Sequence, residues 1–313
     1  MAVERVGVLL LAHGSPESVE QMEQYLLHIR GGRPTPAALV DEMKRRYTLV
    51  GGRSPLLDIT RAQARALQER LNDGGEKEYR TYVGMRHWNP FIEETMAEML
   101  QDGVKQAVAV CMAPQFSQLS VGAYFQKVRE ALEPTGNTIS FRYVSSWHDN
   151  PFFIRAVAEK LISARERMGT ADDLRVIFTA HSLPASVLEQ GDPYDAQVHE
   201  TARLVAAQVG LDQSDWQFCY QSAGATSVPW LGPALNDVVS RLGESGIRKV
   251  LVVPVGFVAD HVEILYDIDV EARGAAEKAG VHLERTESLN VSPSFIEALA
   301  DVVRGVLEVA PCG

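Results

Sequence analysis

The strongest constraint on the fold is a strand ending that occurs twice. Residues 9–15 read L-L-L-A-H-G-S, and residues 177–183 read I-F-T-A-H-S-L. Each is an apolar run, typical of a strand buried on both faces, that ends in Ala-His and a small residue. A second pair of runs matches in kind, A-V-A-V-C-M-A-P-Q-F at 107–116 and V-L-V-V-P-V-G-F at 250–257. The repetition predicts a duplicated βα architecture.

Fold class and domain bounds follow from this repetition. We predict an α/β protein with two similar doubly wound, Rossmann-like domains, whose four-stranded parallel sheets face each other across a cleft. The length of 313 residues allows roughly two domains of ~150 residues each. We place an N-terminal domain at 1–147 and a C-terminal domain at 148–292, and expect a helix at 293–313 to pack back on the first. In chain order, the second half of the pattern starts with a strand near Ile139 to Val144.

Composition excludes several classes of function. A net charge of −11 argues against nucleic-acid binding. No apolar run reaches the length of a membrane helix, so stable membrane insertion is not expected. Cys111, Cys219 and Cys312 form no CxxC pair, which fits a reducing cytoplasm and supplies no zinc or iron–sulfur site. Nothing in the pattern requires more than a monomer.

A line of carboxylates follows the last strongly apolar run. Glu263, Asp267 and Glu271 are four residues apart, so they fall along one side of a helix, with His261 beside the first. Carboxylate and imidazole ligands suit a divalent metal of borderline hardness. The alternative is structural, because Asp260 and Glu263 also have the spacing of a capping box at a helix start.

Two histidines and a tryptophan are further candidates. His13 and His181 are expected to project from the carboxyl ends of matching strands, where open α/β sheets build their sites. One strand-end histidine is often structural, but two at matching places favour a function. Trp230 lies between Pro229 and Pro233, and is either a flat platform for a flat ligand or a loop aromatic that fills the core.

The segment from residue 30 to residue 53 is basic in an acidic protein. Six positive charges stand against two negative ones, a net +4; the positive residues are Arg30, Arg33, Lys44, Arg45, Arg46 and Arg53. This patch predicts an anionic substrate, since arginine binds carboxylate or phosphate in a bidentate manner. The alternative is a solvated basic helix face. The pair Gly51-Gly52 also lets the backbone approach a ligand closely. The chain has no P-loop and no G-x-G-x-x-G, which disfavours a nucleotide.

Over nearly its whole length the sequence resembles the ferrochelatases. The motifs that carry the resemblance are H-I-R-G-G-R (28–33), R-Y-T-L-V-G-G-R-S-P-L (46–56), A-P-Q-F-S (113–117), A-H-S-L-P (180–184), G-D-P-Y (191–194), P-W-L-G-P (229–233) and V-P-V-G-F-V-A-D-H-V-E-I-L-Y-D (253–267). The resemblance implies a class II chelatase type of fold and the insertion of Fe(II) into a porphyrin. The short, charged segment 30–53 resembles the soluble bacterial branch that acts on coproporphyrin III and gives coproheme.

The resemblance also assigns roles to residues. By this match, Arg30, Arg46, Ser54 and Tyr124 would hold the propionates, and Trp230 is counted with them as a porphyrin-binding candidate because of its own sequence context. His181 and Glu263 match the catalytic pair, and Asp267 and Glu271 match an outward line of carboxylates. That outer line is expected to hold a hydrated divalent ion such as Mg²⁺. Porphyrin and Fe(II) are the expected partners, together with transient contacts to other enzymes of the haem pathway.

One position departs from the pattern. Coproporphyrin relatives commonly have tyrosine where this chain has His13, and A-H-G-S is also similar to the small sirohydrochlorin and cobalt chelatases. We therefore expect His13 to be an axial ligand of the product iron, and count it with His181, Glu263, Asp267 and Glu271 among the metal ligands. Some relatives carry a [2Fe–2S] cluster on four cysteines; three cysteines cannot supply it, so none is expected.

Three alternatives stay open. One is a ferrochelatase for protoporphyrin IX, and another is a chelatase for a different tetrapyrrole, such as cobalt insertion into sirohydrochlorin. The third is a two-domain haem-binding protein without enzymatic activity, which the cleft architecture alone would allow.

Overall fold

A computed structural model describes residues 5–74, 77–169, 174–224 and 227–308 and contains two four-stranded parallel sheets. The first sheet consists of β1 (Arg5–Ala12), β2 (Glu78–Met85), β3 (Gln106–Cys111) and β4 (Ser140–Val144). The second consists of β5 (Leu174–His181), β6 (Trp216–Gln221), β7 (Lys249–Pro254) and β8 (His282–Arg285). The orders are β2-β1-β3-β4 and β6-β5-β7-β8, so the two sheets have the same topology. The predicted α/β class with two four-stranded parallel sheets is confirmed.

The chain divides into two compact units. Unit 1 is Met1–Trp147 with Asn290–Gly313, and unit 2 is His148–Leu289. The helices of unit 1 are α1 (Met22–Ile29), α2 (Ala37–Leu49), α3 (Leu56–Asn72), α4 (Ile92–Gln101), α5 (Ala123–Leu132) and α11 (Pro293–Glu308). The helices of unit 2 are α6 (Pro151–Met168), α7 (Ser186–Glu189), α8 (Tyr194–Gln208), α9 (Leu235–Glu244) and α10 (Arg273–Lys278).

Shorter helical segments complete the description. Each unit has a π-helix, Gln118–Gly122 in unit 1 and Ile264–Ala272 in unit 2, and unit 1 also has 3₁₀ turns at Val19–Gln21 and Glu133–Thr135. Among the described residues, no helix combines the length and the apolar character that a membrane crossing requires.

The last described helix, α11, belongs to unit 1. It contacts α3, β3 and β4, and Arg70 of α3 pairs with Glu297 of α11 at 2.6 Å. Arg142 of β4 donates to the carbonyl of Val306 at 2.7 Å. The end of the helix predicted at 293–313, including Cys312, lies outside the described residues.

The apolar runs in the sequence are the inner strands of the two sheets. β1 lies between β2 and β3, and β7 lies between β5 and β8. Leu9, Leu10 and Leu11 are fully buried, as are Val250 and Val252. An inner strand with helices on both faces buries successive side chains on opposite faces, so it needs an unbroken apolar run. This is why the runs could be recognised from sequence.

The outer strands were harder to assign. The strand predicted near Ile139 to Val144 is β4, which pairs with β3 and so belongs to the first sheet rather than starting the second half. Strand β8 was not predicted, because its four residues H-L-E-R carry only one buried apolar side chain, Leu283. An outer strand is paired on one side only, so its sequence can be short and polar.

Gly256 permits a close contact where β7 ends. The Val255 N–H donates to the carbonyl of Thr179 at 2.9 Å, which extends the β5–β7 pairing beyond Pro254. A Cβ at Gly256 would lie 2.8 Å from the Cβ of Ala180, the residue before His181. A side chain there would therefore push the ends of the two strands apart.

We expect Gly256→Ala to lower the free energy of unfolding by about 1–3 kcal/mol, the usual cost of overpacking. Gly305→Ala is the matched control, because Gly305 lies inside α11 and a Cβ there meets nothing within 4 Å. It should raise stability by about 0.5–1 kcal/mol, since alanine favours a helix interior. Urea denaturation of both variants measures these changes. A Gly256→Ala protein as stable as the wild type would contradict the predicted clash.

Candidate functional site

His181 and Glu263 lie close together in unit 2. The Nε2 atom of His181 is 3.7 Å from an Oε atom of Glu263, and both side chains are partly exposed. His181 is the last residue of β5, and Glu263 is the residue immediately before the π-helix Ile264–Ala272. The two residues are thus brought together from the carboxyl end of one strand and from the segment that follows another.

The tautomer of His181 is set by its neighbour. Nδ1 of His181 is hydrogen-bonded to the carbonyl of Ser182, and a carbonyl can only accept, so Nδ1 carries the proton. In the tautomer that this hydrogen bond selects, the lone pair is on Nε2, the atom that lies on the side of Glu263. Such an imidazole is able to bind a divalent metal or to accept a proton.

The backbone around His181 is fixed by three hydrogen bonds. Ser182 donates through its N–H to the carbonyl of Gln221 and through its Oγ to the carbonyl of Leu231, both at 2.7 Å. The Tyr194 hydroxyl donates to the carbonyl of His181 at 2.8 Å. Burial, aided by the charge of Glu263, raises the pKa of Tyr194 above its usual value, so the hydroxyl stays protonated and keeps donating. Tyr194 and Ser182 were not singled out from the sequence.

The segment that carries Glu263 starts with a histidine cap. Nδ1 of His261 accepts from the N–H of Ile264 at 3.2 Å, which occupies a donor at the helix start. Burial lowers the pKa of His261, in agreement with an unprotonated Nδ1. Asp260, the residue expected to cap in the structural alternative, pairs with Arg285 at 3.1 Å and accepts from Ser288. No pattern in the sequence indicates that a histidine would take the capping role.

The helix itself differs from the expected one. Residues Ile264–Ala272 form a π-helix with i→i+5 hydrogen bonds, an uncommon form that is frequent at functional sites. In an α-helix, four residues rotate the chain by one full turn plus about 40°. In the wider π-helix, the same four residues rotate it by slightly less than one full turn. Both geometries keep Glu263, Asp267 and Glu271 near one side, so their spacing could not distinguish them.

The three carboxylates have different surroundings. Asp267 is buried and is hydrogen-bonded to the Oγ of Ser222, which follows β6 and has a left-handed backbone with φ of 61°. Glu263 is half-exposed, and Glu271 lines an open groove with residues of α9 such as Ser240 and Glu244. Within the described part of the chain, no three His, Cys, Asp or Glu side chains are grouped closely enough to hold a metal ion on their own.

In unit 1, two glycine pairs end helices α1 and α2. Gly32 donates to the carbonyl of Leu27 at 2.8 Å, and Gly52 donates to that of Tyr47 at 2.8 Å, the long hydrogen bond of the Schellman cap. Gly31, Gly32, Gly51 and Gly52 all have positive φ values between 61° and 101°. The glycines are therefore explained by helix termination, with Arg30 as the C-cap residue of α1 and Arg53 in the loop that follows α2.

Most arginines of the basic segment already have partners. Glu42 binds the guanidinium groups of Arg45 and Arg46, each at 2.8 Å, and these two groups lower the pKa of Glu42 to about 2. Arg53 pairs with Asp58 at 3.0 Å. The Nε atom of Arg30 is buried and makes no hydrogen bond within the described structure. Arg30 thus offers a donor that a ligand acceptor would satisfy.

The remaining predicted porphyrin-binding residues are more enclosed. The Oγ of Ser54 accepts from the N–H of Leu56 at 3.3 Å, at the start of α3. Tyr124 of α5 is only 8% exposed, and the guanidinium of Arg86 lies 5.4 Å from its ring centre. The indole of Trp230 is half-buried and packs so closely on Gly224 that a Cβ there would lie 2.4 Å from the ring.

His13 lies in a cluster of aromatic rings in unit 1. It follows β1, is exposed, and packs edge-to-face on His87 with ring centres 4.6 Å apart. The His87 ring is 6.0 Å from that of His28. Burial, aided by His13 and Arg86, lowers the pKa of His87 to about 3, so His87 is neutral near pH 7. His87 was not among the residues predicted from the sequence, although it lies two residues after the end of β2, in the segment M-R-H-W-N-P at 85–90.

Comparisons with known proteins agree with this architecture. The sirohydrochlorin chelatase SirB from Bacillus subtilis subspecies spizizenii, in complex with cobalt, superposes with a TM-score of 0.57 at 14% identity, covering 97% of this chain and 96% of that one. SirB from Bacillus subtilis with Fe³⁺ gives a TM-score of 0.61 at 13% identity with the same coverage. The fold is therefore that of the chelatases.

Sequence comparison is more specific. The ferrochelatase family model matches residues 5–307. A ferrochelatase of Deinococcus radiodurans is 46% identical over 97% of both chains. A coproporphyrin III ferrochelatase of Geobacillus thermodenitrificans is 40% identical over 97% of this chain and 96% of its own, and one of Bacillus subtilis is 39% identical over 97% and 98%. The chain belongs to the ferrochelatase family, lyases of haem biosynthesis whose substrates are Fe(II) and a porphyrin.

Proposed function

We propose that this ferrochelatase inserts Fe(II) into coproporphyrin III and releases coproheme. The observation that carries the proposal is the basic segment 30–53, in which Arg30 has a buried Nε without an acceptor in the described structure. Coproporphyrin III has four propionates, twice as many as protoporphyrin IX, so it makes more use of a cationic segment. Relatives about 40% identical carry the name coproporphyrin III ferrochelatase.

The proposed reaction requires two proton transfers. Fe²⁺ replaces the two N–H protons of the porphyrin, and both protons must leave the macrocycle. We assign their removal, and the replacement of water on the arriving ion, to Nε2 of His181 and the carboxylate of Glu263. An imidazole nitrogen and a carboxylate can each accept a proton, and these two are 3.7 Å apart. Both are also suitable ligands for Fe(II).

The assignment does not require a three-ligand metal cluster in the protein. The porphyrin supplies four nitrogen ligands, so the protein needs to hold the ion only in transit. A ferrochelatase with a strong site of its own would retain its substrate. His181 with its lone pair and half-exposed Glu263 offer a weak, accessible site.

Asp267 and Glu271, the carboxylates beyond Glu263, have a smaller role in the proposal than His181 and Glu263. Asp267 is buried and bonded to Ser222, and Glu271 faces an open groove. Mg²⁺ keeps several of its waters and is often held by one or two carboxylates, so a hydrated ion at Glu271 is consistent with the residues present. We assign no step of the reaction to it. Ser54, Tyr124 and Trp230 stay proposals as porphyrin contacts.

Anaerobic Fe(II) insertion, followed by absorbance with coproporphyrin III and protoporphyrin IX side by side, tests the proposal. We expect turnover of coproporphyrin III to be clearly faster. His181→Ala should lower kcat by about 100-fold or more, in line with the loss of a positioned base. His282→Ala is the control, because His282 is an exposed histidine on β8 of the same unit.

Each result has a distinct meaning. If the enzyme prefers protoporphyrin IX, it is still a ferrochelatase, but the proposal that the basic segment selects a substrate with four propionates is wrong. Normal insertion by His181→Ala, with normal porphyrin affinity, would remove His181 from the mechanism. If the wild type binds porphyrin tightly but does not insert Fe(II), the protein is better described as a haem-binding protein without enzymatic activity.

Charge changes in the basic segment give a second prediction. Arg46→Gln should weaken coproporphyrin III binding about tenfold or more, since a hydrogen bond to a charged group contributes ~1.5–3 kcal/mol. Glu42→Gln should strengthen binding, because Glu42 occupies both Arg45 and Arg46. Fluorescence quenching titrations at low salt measure both. Arg203→Gln, on the exposed face of α8, is the control, and unchanged affinity in Arg46→Gln would exclude this residue as a propionate contact.

His13 gives a third prediction. We propose that its exposed imidazole is an axial ligand of the product iron. The absorption spectrum of the coproheme-bound protein should therefore change in His13→Ala, because the iron loses a strong-field nitrogen ligand. His28→Ala provides the comparison, since His28 belongs to the same ring cluster. An unchanged spectrum in His13→Ala would remove His13 from the iron.

A further inference from the structure

Arg285, the last residue of β8, binds two aspartates that flank Glu263 in sequence. Its Nε and one terminal nitrogen donate to the two carboxylate oxygens of Asp269, at 2.9 and 3.0 Å. The same terminal nitrogen lies 3.1 Å from Oδ1 of Asp260. One guanidinium group therefore connects the residue before His261 with a residue in the middle of the π-helix.

The cluster is largely shielded from solvent. The Arg285 side chain is 14% exposed, and those of Asp260 and Asp269 are 23% and 24% exposed. The other terminal nitrogen of Arg285 donates to the carbonyl of Thr286 at 3.1 Å, and Ser288 donates through its Oγ to Asp260 at 2.8 Å. Shielded, bidentate pairs of this kind are shorter, stronger and more directional than exposed surface pairs.

The position of the cluster matters because of the helix it holds. A π-helix is uncommon as a free-standing structure, so its geometry depends on contacts from elsewhere in the fold. Arg285 supplies such contacts from a strand whose place is fixed, because Arg285 is in register with Val252 of β7. Between the two anchored aspartates lie His261, which caps the helix, and Glu263, which faces His181.

We infer that Arg285 is a positioning residue for the reaction. It holds the segment Asp260–Asp269 in the conformation that presents Glu263 to His181. It binds Asp269 with two parallel N–H donors while also contacting Asp260, and a lysine ammonium could not reproduce the bidentate part of this contact. The contacts that hold Arg285 are those to Asp260, Asp269 and the carbonyl of Thr286, so we place its effect on catalysis in the segment that carries Glu263. The inference rests on the proposed roles of His181 and Glu263.

The kinetic test compares Arg285→Gln, Arg285→Lys and a matched control, Arg70→Gln. Arg70 makes the same kind of bidentate pair, with Glu297 at 2.6 and 3.0 Å, but it lies in unit 1 between α3 and α11. We expect Arg285→Gln to lower kcat for Fe(II) insertion about 10- to 100-fold, the size of effect that a misplacement of about 1 Å produces. Porphyrin affinity should stay unchanged.

The variants separate positioning from general destabilisation. Arg285→Lys should recover part of the activity, since it restores charge but not the bidentate geometry. Arg70→Gln should keep kcat within about twofold of the wild type, although it also loses a bidentate ion pair. In the double variant Arg285→Gln/Asp269→Asn, the fold-decrease in kcat should be smaller than the product of the fold-decreases of the two single variants, because the two residues form one contact. Normal kcat in Arg285→Gln, or equal losses in Arg70→Gln, would overturn the inference.

Hydrogen exchange gives a readout that does not depend on activity. Amides of residues 261–272 should exchange faster in Arg285→Gln than in the wild type and in Arg70→Gln. If they exchange at the wild-type rate, Arg285 does not hold this segment, whatever the kinetics show. If they exchange faster and the wild type inserts no Fe(II), the proposed function fails and the structural role of Arg285 stands.

Discussion

Double-sided burial of the inner strands is the constraint on which the rest of this structure depends. Parallel strands need helical crossovers, and the helices cover both faces of each sheet, so strands such as β1 and β7 must be apolar along their length. Charged and ionisable side chains then fall at or near the points where these strands begin and end. His13 directly follows β1, and His181 is the last residue of β5, the strand in the same place in the second sheet.

The chemistry of the site depends on how firmly these strand ends are held. The proton of His181 is placed on Nδ1 by a backbone carbonyl, and its own carbonyl is held by a buried tyrosine hydroxyl. Glu263 is held less directly, through the histidine cap at Ile264 and the ion pairs of Arg285. Both members of the pair are therefore fixed by contacts from other parts of unit 2, His181 directly and Glu263 through the segment that carries it.

Charge is distributed differently in the two units. The basic segment of unit 1 is partly neutralised within itself, because Glu42 binds both Arg45 and Arg46. An anionic ligand must therefore compete with Glu42 for Arg46, whereas Arg30 has a donor to offer without such competition. In unit 2, the acidic residues after β7 are divided between a buried one, Asp267, and the more accessible Glu263 and Glu271. A net charge counted along the sequence shows neither which arginines are already paired nor which carboxylates are buried.

The sequence by itself determined the inner strands, the duplication and the chemical character of the strand ends, because burial on two faces and the identity of a side chain are local properties. It also predicted His181 and Glu263 as partners, through the resemblance of the motifs around them. Tertiary structure decided what local spacing cannot express. The short polar strand β8 joins the second sheet only because β7 offers it an edge. Residues spaced by four fit an α-helix and a π-helix alike, and the π-helix was decided by the way that segment packs. The pairing of Arg285 with Asp260 and Asp269 joins residues 16 to 25 positions apart, and no pattern along the chain specifies such a contact before the strand and the helix are in place.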